Sequence, residues 1–377
     1  MAKDYVGKEI PKLGFGLMRL PTLPGGTDKD VDLETVKKMV DIYMERGFTY
    51  FDTAFVYHGG ESEVMAREAI VKRYQRDKFQ LTTKMPLWNV KKIADYEEIF
   101  KTQLERAGVD YFDYYLLHGI GGDRLDMIEE TGGWEFLKLI KERGQAKHIG
   151  FSFHSPASDL EKILSKHPEV EVVQLQINYV DWESDDVQSR LCYETAMKYN
   201  TSVIIMEPIR GGSLAGMSPD IQKLFTDYNP DASVASWALR FCASLDNIVT
   251  ILSGMTTVEQ VEDNTKTMMN LKPLSDEERK VIDKVIKALS EVPTIPCTGC
   301  KYCVNDCPQN IMIPAIIESL NEYKKYRSLP NVKRRYEMIT GRGGKASSCI
   351  DCKSCEDHCP QHIKITEVLK EAAELFE

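Results

Sequence analysis

Two cysteine runs leave the chain around them very few ways to fold. Eight of the ten cysteines lie in CTGCKYCVNDCP, from Cys297, and CIDCKSCEDHCP, from Cys349. Each run spaces its thiols as C-x-x-C-x-x-C-x-x-x-C-P. Three thiolates two residues apart can wrap a loop around one iron–sulfur cubane, with backbone N–H groups facing its sulfurs. The fourth, followed by proline, leaves the loop and commonly ligates the other cluster. The spacing thus assigns one 4Fe–4S cluster to Cys297, Cys300, Cys303 and Cys359. It assigns a second to Cys307, Cys349, Cys352 and Cys355. Structural zinc would use paired C-x-x-C knuckles and leave four of these thiols without a role.

The repeat continues beyond the cysteines, as CPQNIMIPAII against CPQHIKITEVL, so the unit looks duplicated. A helical stretch, IPAIIESLNEYKKYRSLPNVKRRYEMI, separates the runs and is longer than the connection in compact bacterial ferredoxins. In this it resembles the helical ferredoxin modules of large redox enzymes. We expect a mostly helical 4Fe–4S ferredoxin-type domain over 293–377. Cys192 and Cys242 sit in amphipathic helical patterns, LCYETAMKY and SWALRFCASL, and read as packed thiols.

Composition matters chiefly for what it excludes. The 377 residues exceed one average domain, but an α/β barrel takes roughly 250 alone. A formal net charge of −10 argues against nucleic acid or anionic lipid as partners. The start, MAKDYVGKEI, lacks the apolar core of a signal peptide, and no apolar run approaches a membrane span. The expected location is the cytoplasm.

Ahead of the cysteines, short apolar runs occur at KLGFGLM, TYFDTA, FQLTTK, DYYLLH, HIGFS, VVQLQIN, SVIIMEP and NIVTILSG. Helical patterns such as LETVKKMVDIYMERG and ADYEEIFKTQLERAG separate them, the latter closed by a C-capping glycine. Eight strands alternating with helices are the count for a parallel (β/α)8 TIM barrel, here over 1–292. A Rossmann fold is the rival, but GFGLM opens no G-x-G-x-x-G turn into a helix. The expected class is therefore α/β, a barrel followed by a smaller helical cluster domain.

Polar residues close successive strands: Asp52, Lys84, His118, Ser152, then Gln176 and Asn178. Barrel enzymes present their chemistry from that end of the strands. The string YFDTAFVYHGGESE, followed in order by LTTK, LLH and GFS, resembles the aldo-keto reductase superfamily. Members are (β/α)8 barrels that interconvert carbonyls and alcohols with NAD(P)H. The resemblance implies a catalytic tetrad of Asp52, Tyr57, Lys84 and His118. Tyr57 would be the acid, strengthened by the neighbouring ammonium. Asp52 would hold Lys84 charged, and His118 would orient the carbonyl. It further implies nicotinamide contacts at Ser152 and Gln176. The loop Ser253–Asn264 would close over the adenosine half, with Asn264 on adenine. Gly254 and Gln260 stand where many NADPH-preferring members carry Lys and Arg. Met206 takes the place of a stacking aromatic, Phe153 that of an asparagine, and Arg210 is expected to reach the pyrophosphate. Trp88 is expected to line the substrate pocket.

The leading expectation is an NADPH- or NADH-dependent oxidoreductase acting on a small carbonyl or alcohol and carrying two 4Fe–4S clusters. The alternative is an electron-transfer protein that links NAD(P)H to a redox partner protein through the clusters. In that reading the barrel serves mainly as a nucleotide scaffold.

Overall fold

Strand order follows from how far each apolar run can hide. The computed structural model describes residues 5–122, 124–305 and 307–377. Met1–Asp4, part of the segment weighed above as a signal peptide, lie outside the described residues. The eight expected runs form β1 (Leu13–Gly16), β2 (Tyr50–Asp52), β3 (Gln80–Met85) and β4 (Phe112–Ile120), then β5 (Ala146–Phe153), β6 (Val172–Gln176), β7 (Ser202–Met206) and β8 (Ile248–Ser253). They pair in parallel and in sequence order, and β8 closes on β1 through Leu13–Ile251 and its neighbours. A parallel strand in such a barrel is covered on both faces, which is why DYYLLH is apolar without alternation. Tyr50, Tyr114, Leu116, Val172, Ile204 and Val249 fill part of the interior as one buried cluster. At Gly150 a Cβ would sit 1.9 Å from the Val172 carbonyl oxygen, so β5 and β6 approach at a place only glycine permits.

Helices connect the strands, among them Leu33–Glu45, Ile93–Ala107, Ala157–Lys166 and Val258–Met269. Ile93–Ala107 ends on Gly108 in the left-handed conformation, φ +66°, as its closing glycine predicts. Cys192 and Cys242 are buried, free thiols. Burial pushes the Cys192 thiol up to about 11 and the Cys242 thiol higher still. Both are packing residues, as their helical patterns indicate.

By packing, the chain forms two compact units, 1–208 with 235–275, and 209–234 with 276–377. The second unit therefore includes a segment from after β7, with helix Pro219–Thr226, and helix Asp276–Ser290. Its core is built from Ile313–Tyr326, Leu329–Thr340 and Ile365–Phe376. The sequence repeat is visible in that core: Ile311 and Ile313 are buried, as are their counterparts Ile363 and Ile365. No helix among the described residues is long and apolar enough to cross a membrane.

Candidate active site and cluster cradles

β2 and β3 run side by side with Asp52 opposite Thr82, so Asp52 and Lys84 emerge at the same end of the barrel. Lys84 Nζ donates to Asp52 Oδ1 at 2.6 Å, to the Thr53 carbonyl at 2.9 Å and to the Tyr57 hydroxyl at 3.3 Å. All three ammonium protons are thereby used. Both charged side chains are buried, 1% and 4% exposed. Burial opposes the Lys84 charge, but the Asp52 carboxylate and Tyr57 outweigh it and hold the lysine above its ordinary value. Burial raises Asp52, and Lys84 and Gln174 oppose that rise. Gln174 Nε2 lies 3.3 Å from Asp52 Oδ2 and fixes the carboxylate's second oxygen.

Tyr57 follows β2 at the head of the turn Tyr57–Gly60, where His58, Gly59 and Gly60 all take positive φ. His58 anchors this turn: its Nε2 accepts from Leu20 N at 3.1 Å, and its Nδ1 faces the Asp28 carbonyl at 2.7 Å. Burial raises the Tyr57 phenol more than Lys84 lowers it. The expected acidifying pull of Lys84 is present, but it works against desolvation. Tyr57 consequently holds its proton at neutral pH.

His118 lies in β4, its ring centroid 5.9 Å from that of Tyr57 and 5.1 Å from that of Trp88. Burial, followed by the charge of Lys84, lowers its pKa to about 3. The imidazole is neutral at physiological pH, and its buried Nδ1 has no hydrogen-bond partner. The four tetrad residues thus converge, with Trp88 beside them.

The expected nucleotide contacts divide into two groups. Ser152 Oγ accepts from Gly119 N at 2.7 Å, and Gln176 Nε2 donates to Asp181 at 2.8 Å. The Ser152 hydroxyl proton and the Gln176 carbonyl oxygen remain for a carboxamide, which needs one donor and one acceptor. Met206, at the end of β7, pairs in register with Gln176. The remaining positions are tied into the protein. Asn264 is buried and donates to Ser253 Oγ at 2.9 Å. Gln260 completes a capping box with Thr257, accepting from Thr256 N at 2.7 Å. A Cβ at Gly254 would lie 3.1 Å from Arg19 Cδ, so the stem of Arg19 occupies the space of a side chain there. Arg210 belongs by packing to the second unit, 3.3 Å from Glu322 and 4.8 Å over the Tyr326 ring.

Gln174 and Glu63 escaped the sequence reading. Glu63 is fully buried behind β3, accepting from Thr83 Oγ1 at 2.7 Å and Gln103 Nε2 at 2.8 Å, and Gln103 also reaches the Lys84 carbonyl. The available signals were a glutamine inside the apolar run VVQLQIN and an acid just after a glycine turn.

In the second unit the eight thiols surround two cavities. One, of about 330 Å³, is lined by Cys297, Cys300, Cys303 and Cys359 together with Ile317, Ile363 and Ile365. The other, of about 320 Å³, is lined by Cys307, Cys349, Cys352 and Cys355 with Ile311, Ile313 and Leu369. Each cavity therefore draws one thiol from the other run. No group of donors among the described residues closes on a point in the manner of a single metal ion. Four thiols around one largely apolar cavity are the donor set that a cubane requires. The loops are matched as well: Gly299 and Lys301 take φ of +68° and +66°, Asp351 and Lys353 +54° and +59°. Left-handed positions of this kind let successive N–H groups converge on an anionic group. Burial pushes the Cys303 and Cys355 thiols up to about 11, and neighbouring thiols add to it. A bound cation reverses that preference, because a coordinating thiol is deprotonated outright.

Comparison with known proteins follows the same division. Residues 296–363 match the model of a 4Fe-4S dicluster domain. Among curated proteins, a probable aldo-keto reductase from Glycine max is 32% identical over 187 residues, 48% of this chain and 51% of its own length. The chain thus spans about half of that relative. An uncharacterized oxidoreductase of Bacillus subtilis is 25% identical over 310 residues, 74% of this chain and 94% of its own. Among solved structures, an aldo-keto reductase from Bacillus halodurans in its holo form superposes with a TM-score of 0.61 at 26% identity, covering 76% of this chain and 96% of that one. An aldo-keto reductase from Klebsiella pneumoniae in complex with NADPH gives 0.61 at 22% identity with the same coverage, a likeness of fold alone. Residues 12–287 match the model of the Aldo/keto reductase family, and over that stretch, most of its length, the chain belongs to this family.

Proposed function

We propose that the protein interconverts a small carbonyl and its alcohol with NADPH or NADH at the barrel, and that it carries two 4Fe–4S clusters. The observation that carries the reading is the buried Lys84 ammonium shared between Asp52 and Tyr57, with neutral His118 beside them. A bound nicotinamide supplies the hydride. As negative charge grows on the carbonyl oxygen, Tyr57 delivers its proton there. The Lys84 ammonium at 3.3 Å stabilises the phenolate left behind. His118, neutral, is suited to hydrogen-bond the oxygen without competing for its proton. In the oxidative direction Tyr57 takes the proton back. Ser152 and Gln176 would hold the carboxamide, with Met206 against the ring.

Functionally we divide the chain into a barrel over 1–292 and a cluster domain over 293–377. The cluster ligand sets are those of the two cavities. A cytoplasmic location belongs to the same proposal. Hydride chemistry moves two electrons and each cluster normally one, so the barrel reaction is proposed as complete without the clusters.

The test is turnover of small aldehydes by anaerobically purified protein. Tyr57→Phe should lower kcat/KM by about 10²–10⁴ with iron content unchanged. Retained turnover in Tyr57→Phe would sink the assignment. Failure of every aldehyde, together with reduction of the clusters by NADH or NADPH alone, would favour the electron-transfer reading instead.

A further inference from the structure

We infer that the rim of the cavity lined by Cys307, Cys349, Cys352 and Cys355 is the docking surface for a small acidic one-electron carrier protein. The inference rests on the reading that this cavity holds a cluster, and it adds the partner and the face that receives it.

Charge is the first argument. The chain carries a net −10, yet Lys324–Lys353 contains nine lysines and arginines against two acids, Glu337 and Asp351. Part of this excess is consumed internally: Lys324 pairs with Glu371, and Arg335 with Glu318 and Glu322. Arg342, Lys345 and Lys353 are exposed and form no close ion pair among the described residues, although the charge of Lys345 acts on Glu377 and that of Lys353 on Glu356.

Geometry brings these three cations to one place. The loop Gly341–Gly344 is pressed against Asn310: Gly344 N donates to the Asn310 carbonyl at 3.0 Å. A Cβ at Gly344 would lie 2.2 Å from the Gln309 carbonyl oxygen, and one at Gly343 2.7 Å from that of Asn310. Gln309 and Ile311 line the cavity, so Arg342 and Lys345, flanking this seam, are held at its edge. Lys353 lines the cavity itself, as does Ile350. Cys352 is exposed.

The rim also carries apolar groups: Ile350, which lines the cavity, is 60% exposed and Met312 40%, and Met312 Cγ lies 3.0 Å from where a Gly343 side chain would begin. Methionine and exposed aliphatic groups ringed by cations suit a transient protein interface, since methionine adapts its shape to different partners. Cations at the rim accelerate encounter with an acidic partner more than they tighten the complex. Nucleic acid and anionic lipid would also be drawn to cations. Neither makes use of apolar groups beside an exposed cluster thiol. In the complex, one electron leaves the carrier, which is oxidised, and one arrives on the iron–sulfur group, which is reduced. No covalent bond forms or breaks.

The experiment uses the anaerobic holoprotein, with a flavodoxin, an acidic 2Fe–2S ferredoxin and an acidic two-cluster ferredoxin as probes. Binding is followed by calorimetry and stopped flow across a salt series. Iron content and EPR are measured on the same samples, so a failure of the cluster reading shows separately from a failure of docking. At least one probe should bind, with an association rate that falls as salt rises. The double variant Arg342→Glu, Lys345→Glu should slow association about tenfold or more, with iron content and aldehyde turnover unchanged. A second variant, Met312→Asp, should speed dissociation. The proposal is overturned if no acidic probe binds at low salt. It is equally overturned if charge reversal leaves binding intact, or if phosphatidylglycerol vesicles or duplex DNA bind as well as the carriers and lose binding in the same variant.

Discussion

The tetrad and the cluster cradles are both polar sites inside folded units, but they are completed differently. At the tetrad, each charge has its partner within the polypeptide: Lys84 satisfies Asp52, the Thr53 carbonyl and Tyr57, and Gln174 takes the remaining carboxylate oxygen. In the cradles, each set of four thiols shares its cavity with one lysine, Lys353 or Lys301, too little charge to balance four thiolates. The barrel can therefore hold its site geometry from the polypeptide alone, whereas the second unit, on the proposed reading, would need an added cation centre. Preorganisation lies in side-chain pairing in one case and in backbone shape in the other.

Removing iron should break that parallel most sharply. Chelation under reducing conditions should expose the backbone of the cysteine loops, because metal binding energy in such sites is folding energy. Hydrogen exchange across Cys297–Ile365 should rise by about 100-fold or more, while β1–β8 stay protected. Equal loss in both units would mean that the barrel, too, leans on the clusters. Next in size is Lys84→Met. It leaves the Asp52 carboxylate buried without its partner and should cost about 3–5 kcal/mol in chemical denaturation. Unchanged stability would show that Asp52 takes up a proton instead.

His118 sharpens the comparison through pH. Its folded pKa of about 3 lies below the ordinary 6.5, so the native state resists a proton that the unfolded chain accepts. This contribution is fully present above pH 6.5 and is lost as the pH falls toward 3. The slope is at most about 1.4 kcal/mol per pH unit. His118→Gln should flatten that part of the stability profile, and an identical acid slope in both proteins would contradict the assignment. The smallest effect concerns the helix Val258–Met269. Thr257→Ala removes one half of its capping box and should cost about 1 kcal/mol. A loss of nucleotide affinity far beyond that cost would support Gln260 as a cofactor contact.

What the sequence made legible was local in character. Strands announce themselves as apolar runs, and the positions of Asp52, Lys84 and His118 at their ends are read directly from the same runs. The cysteine spacing even anticipates which thiols share a cavity, because three ligands per loop leave the fourth to the neighbour. The unread parts depend on distant packing. Nothing near Gln174 says that it will meet Asp52, since that contact crosses the barrel interior. Arg210 follows β7 in sequence but is held by Glu322 and Tyr326, more than a hundred residues further on. Gly254 reads as a missing cation until the stem of Arg19 is seen beside it. The Tyr57 phenol was expected to be acidified by its lysine, and only burial, a property of the folded state, reverses the balance.

The exchange of fourth thiols between the two cavities has a consequence for how the protein is made. As the chain emerges from a ribosome, the first run presents Cys297, Cys300 and Cys303, but its cavity stays open until Cys359 arrives. The second cavity draws on Cys307, which is synthesised before the run that it completes. On the proposed ligand sets, neither is complete until the second run is made, so iron delivery should follow translation through Cys359, and loss of Cys307 or Cys359 should disturb the loop of the other run.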